Sequence, residues 1–401
     1  MLQALIIAVL TAGTLGVLMA PQVRKAKAWR ATVTPLASII GSGFLVLGPI
    51  LADTYGKYAP LVMLALCVAA YAFGAAIRSN IRTIASQPER TALERRIEGA
   101  ASWSLAFAYC ISVAYYLNLF GAFFVKMTPL DSPVAAHVVT SITLIVILAV
   151  GWMKGFAAME RMEQVSVSLK LAIIAGLLAG LVIHFAQKAA GGELILAAPS
   201  NTGWSGIALG LGLIITVQGF ETSRYLGDEY EAGLRIRSMR YAQWLSAAIY
   251  MVYVVLLTYL FDTGDIPLTE TAIVDMMHVV SAILPPLLVA AALSAQFSAA
   301  IADTSGAGGL AEELSKGRFS PRIAYLVLVL IGLGLTWFAH IFEIITYASK
   351  AFALYYALQC AIAIRAALRA PRSPGRAALY SLFLLTAIAV LAFGRPVEGA
   401  G

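Results

Sequence analysis

Charged side chains are scarce in this chain. Asp, Glu, Lys and Arg together make up 12% of its 401 residues, whereas 60% of the residues are hydrophobic. A soluble domain of ordinary composition carries about 25% charged residues. Apolar runs close to the ~20 residues that a helix needs to cross a bilayer recur along the whole sequence. The shortage of charge excludes an ordinary soluble fold and predicts an all-α polytopic membrane protein.

The sequence also has few cysteines and lacks the common catalytic motifs. The three cysteines, Cys67, Cys110 and Cys360, stand in apolar segments without the spacing of a metal site or a disulfide framework. The sequence contains no His-Glu-x-x-His, no Walker-type glycine loop and no Gly-x-Ser-x-Gly. We therefore expect no enzyme, no ATP-driven pump and no bound metal or other cofactor beyond a coupling ion.

The net charge of +7 follows the predicted topology. Twenty-two of the 28 lysines and arginines lie in alternate connections between apolar runs, at 21–30, 78–98, 153–162, 222–241, 312–322 and 365–376. The opposite connections and the C-terminus hold Lys57, Lys126, Lys188 and Arg395. This bias marks the cytoplasmic side of a membrane protein. It predicts a bacterial-type inner membrane location with both termini outside, and no nucleic-acid partner.

Twelve membrane spans are predicted. A leading helix at 2–20 lacks the basic start of a signal peptide, so we expect it to be retained. A trailing helix covers 377–394. The ten core spans between them lie near 31–54, 60–77, 101–125, 134–152, 162–186, 204–226, 239–261, 280–306, 322–339 and 341–364. The predicted divisions are a leading segment, two five-span halves and a trailing segment, at 1–30, 31–190, 200–368 and 369–401.

Two of these spans carry helix breakers at their middle. The first contains SIIGSGFLVLGP at 38–49, and the second, five core spans later, contains ALGLGLIITVQGFET at 208–222. In lipid, a backbone leaves the helix only where it faces protein or a water-filled cavity. Breaks at matching positions of two halves are typical of an inverted-repeat transporter. Each cluster alone has a simpler interpretation, since small residues also let membrane helices pack closely.

A broken helix exposes backbone groups that can bind a ligand. Free N–H groups beside a half-helix N-terminus suit a carboxylate, and freed carbonyls suit a cation. Aromatic residues near the breaks are further candidates for lining a cavity, although packing is their commoner role. The predicted substrate-binding residues are Ile40, Gly41, Ser42, Gly43, Phe44, Tyr115, Tyr116, Val217, Gln218, Gly219 and Phe220, with Tyr347 as a further candidate for the lining.

Three stretches resemble the amino acid–polyamine–organocation (APC) superfamily. IIGSGFLVLGPILADTYG (39–56) is similar to its first helix, and GFETSRYLGDEY (219–230), with Glu221 and Glu229 eight positions apart, is similar to its sixth. GFAAMERMEQVSVSLKLAIIAGLL (155–178) resembles its fifth. The resemblance implies a LeuT-type fold, a 5+5 inverted repeat with discontinuous core helices 1 and 6, and a secondary transporter.

Other features are more similar to sodium–solute symporters, which share that fold. The leading helix is one, and SAAIADTSGAGG (298–309) is another, because it resembles an eighth helix that contributes to a sodium site. The matching positions here are Ala300, Asp303 and Thr304, with Asp303 in place of a hydroxyl residue.

Four charged residues fall away from the ends of predicted spans or at a break: Lys170, Glu221, Asp303 and Lys350. Each charge at the middle of a membrane costs roughly 2.5–3.5 kcal/mol on insertion scales, so each needs a partner or a function. Lys170 either carries coupling, in place of sodium or as a proton carrier, or forms a static pair with Asp303. Alternatively, Asp303 and Thr304 bind sodium. Glu221 is expected to orient the second break, and Lys350 either reaches the outer surface or joins an outer gate.

We therefore expect a secondary active transporter of a small organic solute, most simply an amino acid or related amine, that works by alternating access in the lipid bilayer. The coupling ion is a proton or sodium. Two rival interpretations stay open: an inorganic cation transporter on the same fold, for potassium or a metal ion, and a membrane sensor that binds without transporting. The sequence does not fix the oligomeric state.

Overall fold

The computed structural model describes residues 2–41, 43–86, 91–154, 157–226, 230–262, 268–369 and 374–396, with side chains described outside 153–164. Within these ranges the regular structure is entirely helical. The α-helices are α1 (Leu2–Met19), α2 (Pro21–Arg24), α3 (Lys27–Ile39), α4 (Gly43–Tyr55), α5 (Ala59–Ser86), α6 (Ala92–Lys126), α7 (Pro133–Lys154), α8 (Ala157–Ala190), α9 (Gly203–Gly212), α10 (Ala232–Leu260), α11 (Ala272–Val280), α12 (Leu284–Leu314), α13 (Pro321–Phe338), α14 (Ile341–Arg369) and α15 (Pro374–Phe393). Three 3₁₀ turns cover Gly56–Tyr58, Ile214–Val217 and Phe220–Tyr225.

Ten helical segments of the described chain are long and apolar enough to cross a membrane, with α4 and α5 counted as one continuous stretch. The prediction of an all-α polytopic membrane protein is confirmed. The two other predicted crossings are the interrupted ones. The first is divided into α3 and α4, and the second consists of α9 followed by two 3₁₀ turns. Both interruptions fall where the glycine clusters predict them, while the inverted repeat stays a prediction.

The predicted connection at 78–98 is mostly helical. Helix α5 continues to Ser86, and α6 already begins at Ala92. A capping box starts α6: Glu94 N donates to Thr91 Oγ1 at 3.4 Å, and Thr91 N donates to Glu94 Oε2 at 3.0 Å. This cap satisfies backbone donors that would otherwise be free, so the helix extends beyond its apolar part. The short helix α11 lies in the predicted outer connection and is not foreseen by the sequence.

Ion pairs join helix ends that the predicted topology places on the same side. Arg369 Nη1 lies 2.7 Å from Glu94 Oε1, and both residues are predicted to be at the inner side. Lys126 Nζ lies 2.8 Å from Asp275 Oδ2, and both are predicted to be at the outer side. The start of α6 therefore lies beside the end of α14, and the end of α6 lies beside α11.

The core forms around α6, which packs against α12, α14, α7 and α13, while α10 packs against α5, α3 and α4. Helix α1 is peripheral. Ile7 is its one buried residue, and it rests on α8, where Ile7 and Thr11 face Gly176 and Gly180. The interrupted helices are thus enclosed by long continuous ones.

The residues that follow α15 are hydrogen-bonded to α9. Arg395 N donates a hydrogen bond to Ala208 O at 3.0 Å. The Arg395 carbonyl lies so close to Gly212 that a Cβ on that glycine would be 2.1 Å from the oxygen. We call Gly394–Arg395 the C-terminal strap. It ties the trailing helix to the first part of the second interrupted helix.

Candidate functional site

The two interruptions touch each other. A Cβ on Gly43, at the start of α4, would lie 2.9 Å from Thr216 Cα in the second interruption. Gly219 has φ +120°, a conformation that favours glycine, and a Cβ there would lie 2.6 Å from Ile39 N at the end of α3. The two backbones therefore approach within a distance that side chains would prevent.

Tyr250 of α10 connects the two interruptions by hydrogen bonds. Its hydroxyl lies 3.0 Å from Ile39 O and 2.7 Å from Thr216 O, so one donor serves a freed carbonyl on each broken helix. The Phe44 ring packs against it, with 5.5 Å between the ring centroids. The side chain is 1% exposed. Buried backbone carbonyls require such partners.

Ser349 of α14 caps the second interruption. Its hydroxyl donates to Gly212 O at 2.6 Å and accepts from Ile215 N at 3.0 Å. One side chain thus satisfies the last carbonyl of α9 and a free amide of the following turn. Thr216 Oγ1 donates to Leu213 O at 2.6 Å in the same turn.

Glu221 is fully buried directly after the second interruption. Its Oε2 accepts a hydrogen bond from Gly219 N at 3.0 Å and another from the Tyr356 hydroxyl at 3.1 Å. Its Oε1 has no hydrogen-bond partner, and no cation among the described residues pairs with it. The carboxyl group is held by neutral donors through one oxygen. The other oxygen is able to carry a proton or to ligate a cation.

The remaining predicted substrate residues are grouped around these breaks and are buried. Gln218 Nε2 donates to the Tyr116 hydroxyl at 3.1 Å, and the Phe220 ring stacks on Tyr356 with 5.4 Å between centroids. The buried set comprises Ile40, Gly41, Gly43, Phe44, Tyr115, Tyr116, Val217, Gln218, Gly219 and Phe220. Ser42 lies outside the described residues, as does Glu229 of the sixth-helix resemblance.

Tyr347 does not line the breaks, contrary to the prediction. Its side chain is 43% exposed. The buried face of α14 carries Ser349, Phe352 and Tyr356 instead. Because helical residues share a face at spacings of three and four, this face leaves Tyr347 on the outside.

Lys170 reaches the end of α3. Its Nζ donates to Ala37 O at 2.6 Å, and the side chain is 1% exposed. Asp303, also 1% exposed, accepts a hydrogen bond from the Ser112 hydroxyl through Oδ2. The Lys170 ammonium therefore contacts the last turn before the first interruption, which places a titratable cation directly beside a break.

The predicted ion-binding positions on α12 lie in its buried face. Thr304 Oγ1 donates to Ala300 O at 2.7 Å, and both residues are buried next to Asp303. Lys350, in contrast, is partly exposed on α14. In the part of the chain that the structure describes, no acidic side chain forms an ion pair with Lys350. The described ranges likewise contain no group of three or more His, Cys, Asp or Glu that could hold a metal ion.

Among the residues that the structure describes, several buried polar atoms near the interruptions have no hydrogen-bond partner. They are Ser38 Oγ, Gln218 Oε1, Glu221 Oε1 and Ser223 Oγ. Gln296, fully buried and one helical turn before Ala300 on α12, leaves both amide atoms without a partner. Buried polar groups are normally satisfied, so these atoms are candidates for contact with a bound ligand or an ordered water.

An ion pair lies at the predicted inner end of the second interrupted helix. Arg224, 5% exposed at its side chain, pairs with Glu98 of α6. Arg235 Nη1 donates to the Arg224 carbonyl at 2.6 Å. The sequence alone did not predict a role for Arg224, Glu98, Tyr250, Ser349 or Tyr356.

Known proteins provide an independent comparison. Residues 21–394 match the family model described as APC superfamily transporter. An uncharacterized protein of Aquifex aeolicus (strain VF5) is 39% identical over 390 residues, which cover 95% of this chain and 94% of that protein. The family match includes both interrupted helices and α15 and begins after α1. The chain therefore belongs to the APC superfamily transporter family and is a multi-pass membrane protein.

Proposed function

We propose that this transporter is a secondary active transporter of a small organic solute, an amino acid or related amine, and not an enzyme. It works by alternating access in a bacterial-type inner membrane, with both termini outside. The observation that carries the proposal is the contact between the two interruptions, which Tyr250 bridges through Ile39 O and Thr216 O. Two half-helices that meet at a break supply backbone groups for a solute and a point about which they can move.

The solute carboxylate binds at the start of α4, where the first N–H groups of the helix, those of Gly43 and Phe44, have no helical partner. The partnerless oxygens of Gln218 and Glu221 and the amide of Gln296 support a polar rather than an apolar solute. A hydrocarbon ligand would leave those groups unsatisfied, at a cost of about 1–3 kcal/mol each.

The two halves form a 5+5 inverted repeat of the LeuT type, at 31–190 and 200–368. The first span of each half is the interrupted one, α3 with α4 and α9 with its 3₁₀ turns, which supports this division. Helices α1 and α15 stand outside the repeat.

The coupling of solute transport to a proton gradient acts through Lys170. In its charged form the ammonium makes a charge-assisted hydrogen bond to Ala37 O, 2.6 Å away, at the end of α3. Loss of the proton weakens that bond and frees the end of the half-helix. Proton release from Lys170 and movement of the first break are thereby linked.

A cation cargo or a coupling sodium ion is the second candidate. The partnerless atoms of Ser38, Gln218, Glu221 and Ser223 include four oxygens, which are the ligands that hard monovalent and divalent cations prefer. Asp303 and Thr304 on the buried face of α12 are the other cation candidates.

Uptake into proteoliposomes tests these alternatives. The protein is reconstituted and given labelled amino acids and amines in pools, first with an inward proton gradient and then with a sodium gradient. The variant Lys170→Ala is compared with Lys188→Ala, a lysine on the same helix that pairs with Glu193 at the surface. Proton-driven uptake that Lys170→Ala abolishes and Lys188→Ala retains supports the proposal.

Other outcomes discriminate the rivals. Sodium-driven uptake that survives in Lys170→Ala but not in Asp303→Asn moves coupling to the α12 face. Uptake of rubidium or a metal ion, with none of any organic pool member, contradicts the organic-solute proposal. Solute binding without counterflow indicates a sensor.

A further inference from the structure

A polar pocket lies away from the breaks, at the predicted outer face. It has a volume of about 210 Å³ and lies where the outer half-helix α4 ends and α9 begins. Its polar lining comes from both ends of the junction and from the C-terminal strap. The lining residues are Asp53, Thr54, Ser200, Asn201, Ser205, Leu209, Leu268, Arg395 and Pro396. A small amino acid fits that space.

The pocket contains one acid and one base that do not pair. Within the described residues, Asp53 and Arg395 form no ion pair, and neither side chain has a hydrogen-bond partner there. Asp53 is half-buried and Arg395 is exposed, so both charged groups are accessible from solvent. Here both line one concave space, so each can bind an opposite charge on the same small molecule.

The start of α9 adds to the positive end of the pocket. Thr202, the N-cap residue, makes no side-chain cap, and Ser205 in the first turn lines the pocket. The first amides of α9 therefore have no helical partner and favour an anionic group beside Arg395. Asp53 supplies the opposite charge.

We propose that this pocket binds a small zwitterion, with its carboxylate at Arg395 and the start of α9 and its ammonium group at Asp53. Arg395 would repel a simple cation, and Asp53 would repel a simple anion. The pocket therefore disfavours a ligand that carries only one kind of charge. The site is separate from the breaks and does not depend on the proposed transport function.

A bound zwitterion would join three parts of the chain. Asp53 belongs to α4, Ser205 to α9 and Arg395 to the strap. Asn201 N already donates to Thr54 O at 3.0 Å, which holds the connection before α9 against the end of α4. The ligand would strengthen that junction and act as an external effector of the outer half-helices.

Trp204 provides a local signal for the test. It lies one residue before Ser205, and its ring packs edge to face on Phe393 with 5.1 Å between centroids. The full-length protein in neutral-lipid nanodiscs is titrated with three compounds of similar size. β-Alanine carries a positive and a negative charge, propionate carries only the negative charge, and propylamine carries only the positive charge. Tryptophan fluorescence is recorded, and Trp204→Phe identifies the part of the signal that comes from this site.

The expected result is a saturable change with β-alanine that disappears in Trp204→Phe. Asp53→Asn or Arg395→Gln weakens the apparent affinity by about tenfold or more, because each removes a charge-assisted contact. The exposed-charge controls Asp131→Asn and Arg318→Gln leave it unchanged.

Three results would overturn the proposal. One is the absence of any β-alanine effect in both fluorescence and isothermal titration calorimetry. Another is equal affinity for β-alanine and propionate. The third is unchanged affinity in both Asp53→Asn and Arg395→Gln. Loss of uptake with a retained fluorescence titration contradicts only the transport proposal.

Discussion

Gly43 and Thr216 are in backbone contact: a Cβ on Gly43 would lie 2.9 Å from Thr216 Cα. These residues are 173 positions apart in the sequence, and each belongs to a different interrupted helix. A side chain on Gly43 would clash with the main chain of Thr216, which cannot relieve the clash by changing rotamer as a side chain can. The contact therefore limits how closely the two half-helices approach.

Gly43→Ala is expected to destabilise the protein by about 1–3 kcal/mol, the usual cost of overpacking a close contact. The matched control is Gly334→Ala on α13, where an added Cβ meets nothing within 4 Å. Removing a helical glycine there should be neutral or stabilise by about 0.5–1 kcal/mol. Thermal unfolding in detergent measures both. Equal unfolding temperatures for the two variants would contradict the contact.

Tyr250→Phe removes the hydroxyl that serves Ile39 O and Thr216 O. We expect a loss of about 1–3 kcal/mol, because two buried carbonyls lose their donor, together with a reduced uptake rate. Tyr241→Phe is the control, since Tyr241 lies on the same helix and is 50% exposed. If Tyr250→Phe unfolds and transports like Tyr241→Phe, the bridge has no energetic role.

Ser349→Ala removes the cap of the second interruption. The amide of Ile215 loses its acceptor and the carbonyl of Gly212 loses its donor. Hydrogen exchange measured by mass spectrometry should be faster in peptides that cover 212–217, while peptides from α6 stay unchanged. Ser381→Ala, whose hydroxyl bonds within α15 to Ala377 O, serves as the control. Unchanged exchange at 212–217 would show that the turn holds without the cap.

The pair of Arg224 and Glu98 is expected to hold the predicted inner end of the second interrupted helix closed. Glu98→Gln leaves the mostly buried Arg224 guanidinium without this carboxylate, and removing one member of a buried pair is strongly unfavourable. Maleimide labelling of the buried Cys110 and Cys360 should become several times faster. The exchange Glu98→Arg with Arg224→Glu should restore slow labelling. Labelling that is fast in the exchanged variant as well would mean that the pair does not act as a lock.

The positions of both interruptions were predictable because glycine and proline act on the backbone locally. The clusters around Gly43 and Gly219 leave a signal in a single sequence. The side chains on other helices that stabilise the interruptions leave no such signal in a single sequence. Tyr250 and Ser349 belong to distant helices, and a tyrosine or serine in an apolar helix looks the same whether it bonds to its own turn or to a carbonyl 34 or 211 residues away.

Helix ends were less predictable than helix cores. Hydropathy marks the part of a helix that lies in lipid, whereas α6 begins nine residues before its predicted span. The Thr91-x-x-Glu94 spacing was the available signal for that start. Tyr347 was misplaced for a different reason: aromatic character alone does not tell which face of a helix a residue occupies.

The C-terminal strap makes α15 a mechanical partner of α9. Arg395 N is bonded to Ala208 O, and the Arg395 carbonyl lies against Gly212. Helix α9 therefore moves only if the end of α15 moves with it or if the strap detaches. The trailing helix therefore restrains one member of the interrupted pair, because among the described residues no backbone hydrogen bond joins α4 to α15.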